Sequence, residues 1–329
     1  MPMPILVTGS AGHLGEALMR SLRAAGRAGV GVDRKASPYT DRVGSVCDRS
    51  FIERCMRSAT AVIHAATLHK PHLATHSWQD FVDTNVTGTL TLLDAARAFG
   101  IKTFIYVSTT SAFGSAVSRT SPADAIWVTE DLTPRPRNIY GVTKLMAEDL
   151  GELAHRRYGL SVVILRTSRF FPEADDDPEV RRRYDTANAQ ANEMLYRRVD
   201  IEDVVSAIFL ALERAADLGF GRYIISATTP FGPADLPMLG NEAPAVVRAM
   251  FPDCEALFDS RGWKLFPRID RVYVNARARA DLGWRPRRDF QYVLGCLKSN
   301  QDFHSPLARA VGSKGYHDRT FAEGPYPVE

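Results

Sequence analysis

The sequence predicts an α/β protein built on a doubly wound parallel sheet. Short apolar runs recur along the first half of the chain, with helical segments between them, at residues 5–7, 30–33, 61–64, 104–107 and 162–165. Runs without polar interruption are typical of strands buried on both faces of a parallel sheet. Strands that alternate with helices in this way predict the Rossmann-type arrangement.

The helical segments between these runs each carry one apolar stripe. Two segments illustrate it, with leucine or valine recurring at helical spacing: Leu14, Leu18 and Leu22 in the first, and Val86, Leu90 and Leu93 in the second. Such spacing places the side chains on one face of a helix, so we expect each stripe to pack on the sheet.

The composition is that of a soluble globular protein with a full core. The chain has 329 residues, of which 45% are hydrophobic and 24% charged, and a formal net charge of +3. Such a near balance of basic and acidic residues does not indicate a nucleic-acid partner. The four cysteines are far apart and form no CxxC pair, which favours a reducing cytoplasm over a disulfide framework or a zinc site. No leader-like or membrane-spanning run is present, so we expect no export and no membrane insertion.

A glycine-rich turn follows the first strand, with Gly9, Gly12 and Gly15 in a GxxGxxG spacing. Such a turn lets backbone amides at a helix N-terminus approach a pyrophosphate, although it is also found in purely structural strand-to-helix turns. The second strand ends at Asp33, 24 residues after Gly9, where a carboxylate can accept hydrogen bonds from ribose hydroxyls and repel a 2′-phosphate. The sequence therefore favours NAD over NADP. Arg34 and Lys35 are the residues that could receive the extra phosphate instead.

Tyr140 and Lys144 are four residues apart, so both side chains project from the same face of a predicted helix. A free phenol has a pKa of about 10, but a neighbouring ammonium and a nicotinamide cation stabilise the phenolate. Tyr140 could then take the hydroxyl proton of an alcohol while hydride leaves its carbon. Hydroxyl side chains at residues 108–111 end the strand-like run that precedes this pair, at the sheet edge where ligands bind in such folds.

These motifs together resemble an extended short-chain dehydrogenase/reductase of the NAD-dependent epimerase/dehydratase family. The likeness covers about residues 3–298 and extends to His64 and its two alanines, Asn85 in an NVTGT run, Arg166, the run 198–204 and the run 280–286. It implies a Rossmann domain over residues 1–168 and a mainly substrate-binding lobe over 169–298, with some segments returning to the core. We expect residues 299–329 to form an irregular C-terminal tail.

The resemblance also implies site residues. It assigns catalysis to Thr109, Tyr140 and Lys144, with Thr109 sharing the substrate oxygen and Lys144 also holding the ribose. The cofactor contacts expected by the family pattern are Gly9, Gly12, His13, Leu14, Gly15, Asp33, Asp48, Ala65, Ala66, Asn85, Tyr140 and Lys144. Asp48 would contact adenine, and Ala65 and Ala66 would line the cofactor.

Departures from the family narrow the chemistry. Relatives that eliminate water from a sugar follow the threonine with an Asp-Glu pair, whereas Thr110 and Ser111 stand here, which disfavours dehydration. We predict substrate contacts by Ser111, Arg169 and Arg268, since arginine makes bidentate bonds to phosphate or carboxylate. A solvated basic face is the alternative for Arg268. The segment after Arg166 lacks the asparagine with which nucleotide-sugar relatives touch the diphosphate.

The leading hypothesis is an NAD-dependent sugar epimerase, with a nucleotide sugar as its substrate, that works through a transient keto intermediate. The alternatives are an NAD-dependent dehydrogenase of a free sugar, uronate or other small polar alcohol, and a non-catalytic dinucleotide-sensing protein. In each case we expect a small, anionic sugar ligand, no nucleic-acid or membrane partner, and a homodimer of the kind common among relatives.

Two further features have less specific interpretations. His69, His72 and His76 stand at helical spacing, but no carboxylate or cysteine completes a ligand set, so we predict no metal. We expect the acidic run 175–177 to be a solvated loop.

Overall fold

The structure, a computed structural model, describes residues 4–118, 124–315, 317 and 321. Its centre is a seven-stranded sheet in the order β3-β2-β1-β4-β5-β7-β8, and every neighbouring pair is parallel. The strands are β1 (Ile5–Thr8), β2 (Gly29–Asp33), β3 (Arg42–Val43), β4 (Ala61–His64), β5 (Thr103–Thr109), β7 (Ser161–Thr167) and β8 (Phe220–Ile225). The predicted doubly wound parallel sheet is confirmed.

Both faces of the sheet are buried, which explains the uninterrupted apolar runs. Alternate residues of a strand point to opposite faces. Odd-numbered side chains pack in a cluster on one face, for example Val7, Ile63, Ile105 and Val163. Even-numbered side chains pack in a cluster on the other face, for example Leu6, Val62, Phe104 and Val162.

Helices cover the two faces of the sheet. Helices α1 (His13–Ala24) and α8 (Ile201–Leu218) lie over the odd-numbered side chains. Helices α2 (Arg49–Met56), α4 (Gly88–Ala98) and α5 (Ile139–Tyr158) lie over the even-numbered ones, and a short α3 (Trp78–Phe81) precedes α4. The sequence reasoning was wrong about Leu90, which is exposed, because Leu92 and Leu93 form the buried face of α4 instead.

A second apolar cluster lies in the later part of the chain. It joins a small parallel sheet of β6 (Ile126–Val128) and β9 (Arg271–Tyr273) to a set of helices. These helices are α6 (Pro178–Arg183), α7 (Thr186–Glu193), α9 (Leu236–Met250), α10 (Cys254–Asp259) and α12 (Phe290–Lys298). The domain boundaries drawn from the sequence stay a prediction.

Some late segments return to the large sheet. Helix α11 (Ala276–Asp281) and the following Trp284 belong to the same cluster as α1 and α8. Helix α13 (Pro306–Val311) joins that cluster through Val311, so part of the predicted irregular tail is a helix packed on the core. Among the described residues, none of the helices has both the length and the apolar content to cross a bilayer.

Candidate active site

A long cavity of about 1470 Å³ opens where the carboxyl ends of the central strands meet. This edge is where sheets of this type bind ligands. The glycine turn, Asp33, Arg271 and Tyr273 all line the cavity. Thr109, Tyr140 and Lys144 also line it, so the structure brings the two predicted groups of site residues into one space.

The glycine turn is packed too closely for side chains. Gly9 has φ of +77°, and a Cβ there would lie 2.7 Å from the Ala66 amide nitrogen. A Cβ on Gly15 would lie only 1.9 Å from the Gly9 carbonyl oxygen. All three glycines line the cavity at the N-terminus of α1, together with His13, Leu14, Ala65 and Ala66. An exposed backbone at a helix N-terminus fits a dinucleotide pyrophosphate.

Asp33 lies at the end of β2 and lines the cavity beside this turn. One carboxylate oxygen accepts a hydrogen bond from the Ala11 amide at 3.0 Å, and the other accepts one from the Lys35 amide at 2.9 Å. The carboxylate therefore braces the turn and stands at the position expected for a ribose contact. Arg34 and Lys35 also line the cavity.

Thr109 and Tyr140 both line the cavity and interact with each other. Thr109 ends β5, and Tyr140 is the second residue of α5, whose first turn is capped by the Asn138 side chain accepting from the Gly141 amide. Burial raises the pKa of Tyr140 to about 12, and a hydrogen bond with Thr109 opposes that rise. The expectation of a lowered tyrosine pKa thus stays a prediction for a site that also contains a bound cation.

Lys144 lies one helical turn beyond Tyr140 and is buried. Its Nζ donates to the Val107 carbonyl at 2.6 Å and lies 4.2 Å from the centre of the Tyr106 ring. Burial lowers the pKa of Lys144 to about 7, although the charge of Glu148 acts in the opposite direction.

Two residues expected at the cofactor do not line the cavity. Asn85 is buried, where it accepts from the Leu68 amide and donates to Thr143 Oγ1, so it ties the loop after β4 to α5. The carboxylate of Asp48 caps α2 by accepting from the Phe51 amide. Asn85 therefore supports a segment of the cavity wall, since Leu68 lines the cavity.

The predicted substrate residues have different surroundings. Ser111 lines the cavity, and its amide donates to Thr109 Oγ1 at 3.0 Å. Arg169 lines it too, but its guanidinium is already paired with Asp175 at 3.3 Å and Asp176 at 2.8 Å. Arg268 is exposed and lies outside the lining, because the side chain that reaches the cavity from this segment is Arg271.

Two residues of the acidic run 175–177 are not solvated, contrary to the sequence-based expectation, whereas Asp177 is exposed. Asp175 is buried and pairs with Arg197 at 2.9 Å as well as with Arg169. Asp176 pairs with Lys70 in addition to Arg169. Arg197 and Lys70, which are distant in sequence, hold these carboxylates in ion pairs, and no local sequence pattern predicts that pairing.

Several lining residues were not identified as substrate or cofactor residues. Arg137 lines the cavity three residues before Tyr140, and no described residue forms an ion pair with it. The His69 ring stacks on Phe171 with centroids 5.7 Å apart and lies 6.5 Å from the Tyr140 ring. Arg137 could have been noticed from its closeness to Tyr140 in the sequence. Within the described ranges, no cluster of three or more His, Cys, Asp or Glu side chains could hold a metal ion.

The segment after α13 lies along the cofactor end of the cavity. Lys314 pairs with Glu16 on α1, and its amide donates to His13 Nε2 at 3.2 Å. His317 contacts the Pro71 carbonyl at 2.8 Å. Lys314, Gly315 and His317 line the cavity, although this part of the sequence carries no periodic signal.

A glycine turn, an acidic second strand end and a Thr/Tyr/Lys set around one cavity define a dinucleotide-dependent oxidoreductase-type site. The chain belongs to the NAD dependent epimerase/dehydratase family, whose family model matches residues 5–225. A short-chain dehydrogenase/reductase superfamily protein from Agrobacterium tumefaciens, solved with bound NAD, is 26% identical. It aligns with a TM-score of 0.64 over 90% of this chain and 96% of that one. NAD as the cofactor is thereby confirmed.

Curated relatives carry different activities. The NAD-dependent glucose-6-phosphate dehydrogenase of Haloferax volcanii is 30% identical over 187 residues, which are 50% of this chain and 68% of that protein. The UDP-glucose 4-epimerase of Azospirillum brasilense is 31% identical over 188 residues, 54% of this chain and 51% of the epimerase. The match thus spans only about half the length of the epimerase, and the names among relatives do not agree on a reaction.

Proposed function

We propose that this protein is an NAD-dependent enzyme that oxidises a carbinol carbon of a sugar, and that it works as a dehydrogenase of a small sugar. The observation that carries the proposal is that Thr109, Tyr140 and Lys144 line one cavity together with the glycine turn. A sensor of dinucleotides would have no use for a buried tyrosine and lysine next to a substrate-sized space.

The proposed roles follow from the geometry of the three side chains. Thr109 hydrogen bonds the substrate oxygen, and Tyr140 takes the proton from the same oxygen. The Lys144 ammonium favours the phenolate form of Tyr140 and holds a ribose hydroxyl. Bound NAD supplies the hydride acceptor. Thr110 and Ser111 carry no acid or base for elimination, so dehydration is not part of the proposal.

A small sugar is favoured over a nucleotide sugar because three arginines that line the cavity, Arg169, Arg197 and Arg271, are already paired with carboxylates. Arg169 and Arg197 share Asp175, and Arg271 pairs with the adjacent Asp270. A diphosphate would have to displace these carboxylates, and a buried charge left without its partner is strongly destabilising. Paired carboxylates and guanidinium groups instead suit sugar hydroxyls, which both donate and accept hydrogen bonds.

The epimerase hypothesis remains the second candidate function. Four curated relatives, each 29–31% identical to this chain over the aligned residues, are UDP-glucose 4-epimerases. The two reactions share the first step and differ in whether the oxidised sugar leaves. An epimerase would retain the keto sugar and return hydride to its other face.

The test is a proton NMR time course with NAD and a panel of free aldoses, sugar phosphates, uronates and nucleotide sugars, with NADH absorbance read in parallel. Stoichiometric NADH with an oxidised free sugar is the expected result. A stereoisomer formed from a nucleotide sugar without net NADH would replace the dehydrogenase with the epimerase. NAD binding with no turnover of any compound would favour the sensor.

An anionic substrate group is expected to bind Arg137, which lines the cavity and for which the described residues offer no ion pair. Arg137→Gln should raise KM for a charged sugar about tenfold, the effect of losing one charge-assisted hydrogen bond, and leave KM for a neutral sugar unchanged. Arg135→Gln is the matched control, because Arg135 is equally exposed but lies outside the lining. Equal KM changes for both sugars would contradict an anion contact.

A homodimer is part of the proposal, with the faces of α4 and α5 as its interface. Leu90, Val142, Met146 and Leu153 lie on these helices and are 38–45% exposed. An exposed apolar strip of this kind suits a second copy of the same helices. Light scattering should give twice the chain mass of 36.4 kDa for the native protein and a lower mass for Met146→Lys. A monomeric native protein would refute the dimer.

A further inference from the structure

Three residues of α5 form a line along its buried face. Tyr140, Lys144 and Glu148 are spaced four residues apart, and all three side chains are at most 8% exposed. Residues at this spacing lie one turn above another on the same side of a helix. Tyr140 and Lys144 line the cavity, whereas Glu148 lies behind them in the interior.

The Glu148 carboxylate is held by neighbouring strands. Ser108 Oγ on β5 donates to it at 2.5 Å. Arg166 on β7 donates through both Nε and Nη2, the latter at 2.7 Å, and Arg222 on β8 brings its Nε within 3.3 Å. Bidentate pairing with a guanidinium favours the ionised carboxylate and fixes its orientation.

We infer that Glu148 is a positioning residue for the proposed reaction: its carboxylate, anchored by Ser108 and Arg166, keeps the Lys144 ammonium protonated beside Tyr140. The inference rests on the proposed function only for its consequence, turnover. The electrostatic effect of Glu148 on Lys144 itself depends only on α5 and the strands beneath it.

Charged and titratable groups surround Lys144 on every side. On its own helix these are Tyr140 and Glu148, and from neighbouring segments His64, His69, Tyr106, Arg166 and Arg222. Burial lowers the pKa of His64 to about 3 and that of His69 well below its usual range, so both are neutral near pH 7. Of the charges acting on Lys144, it is Glu148 that raises its pKa against the effect of burial.

The consequence concerns where one proton resides. With one proton between them, Tyr140 and Lys144 can exist as a phenol beside a neutral amine or as a phenolate beside an ammonium. The two states have the same total charge, but only the phenolate can act as a base. A carboxylate one turn from Lys144 and two turns from Tyr140 favours the ammonium more than it disfavours the phenolate, since the Coulomb energy falls with distance.

The test is an ultraviolet titration of the Tyr140 phenolate in the NAD complex, obtained by subtracting the Tyr140→Phe spectrum in each background. Glu148→Gln should move the phenolate midpoint upward by about one pH unit, the scale on which a close charge shifts a pKa. Glu148→Asp, which keeps the charge, should move it less. A direct effect of removing a negative charge would lower the midpoint instead, so an unchanged or lower midpoint overturns the inference.

Two further variants keep the result interpretable. Asp203→Asn also alters a buried carboxylate, which accepts from the Arg287 and Arg288 amides and lies outside the cavity lining, and should lower the unfolding temperature without moving the midpoint. Should Glu148→Gln not fold because Arg166 loses its partner, Glu148→Gln with Arg166→Gln removes both charges, and its midpoint should lie above that of Arg166→Gln alone. The titration needs no substrate, so it can fail or succeed independently of the sugar panel.

Discussion

Tyr140→Phe is expected to lower kcat about a thousandfold, while Kd for NAD changes by less than about threefold. A positioned general base contributes about 10²–10⁴ in rate, and the substitution removes the phenolic oxygen without altering the ring. The ring stays packed because Tyr140 belongs to an apolar cluster with Leu68 and Phe81. Steady-state kinetics on the best sugar of the panel and calorimetric titration with NAD measure the two quantities.

The matched control is Tyr158→Phe, the same change near the other end of α5. Tyr158 is 58% exposed and lies outside the cavity lining, so its loss should leave both kcat and Kd unchanged. Turnover of Tyr140→Phe at the native rate would remove Tyr140 from the catalytic assignment. A large loss of NAD affinity would mean that its main role is to hold the cofactor.

The parts of this fold that depend on local repetition were predictable from the sequence. Strands buried on both faces need apolar residues at every position, and β1, β4, β5 and β7 carry that signal. The glycine turn was predictable for a similar reason, since Gly9 needs a positive φ and Gly15 has no room for a side chain.

The parts that depend on long-range pairing were not predictable. Nothing near the run 175–177 indicates that Arg197 would pair with Asp175, or that Lys70 would pair with Asp176, since each partner comes from a distant segment. For the same reason Arg169 was expected to be free for a substrate anion. Arg137, which lines the cavity and has no ion pair among the described residues, carries no family signal.

Helix α4 shows a limit of periodicity itself. Two sets of apolar residues on this helix have helical spacing, and the set that begins at Val86 contains Leu90 and Leu93. The structure buries Leu92 and Leu93 and leaves Leu90 at the surface. The register is decided by a π-helical segment, Val82–Thr87, which adds a residue to the turn before α4 and rotates the faces that follow. Leu90, which the sequence analysis assigned to the buried face, therefore lies on the face proposed for dimerisation.

Gly15→Ala should lower NAD affinity more than about tenfold and destabilise the fold by about 1–3 kcal/mol, the usual effect of overpacking. The added methyl would meet the Gly9 carbonyl carbon at 2.5 Å and Ser10 Cα at 2.7 Å. Both atoms belong to the backbone, so the clash cannot be relieved by a change of side-chain rotamer. Helix α1 must therefore move away from the turn, and its first amides lose their position relative to the pyrophosphate.

Gly295→Ala is the control for this change. Gly295 also lies within a helix, α12, but no atom lies within 4 Å of the position that a Cβ would take. Alanine there should raise stability by about 0.4–1 kcal/mol by restricting the unfolded chain, with NAD binding unchanged. Calorimetric titration and denaturant unfolding of both variants measure the contrast. Native NAD affinity in Gly15→Ala would mean that the turn tolerates separation from α1, and the close approach of Gly15 to Gly9 would then serve packing rather than the cofactor.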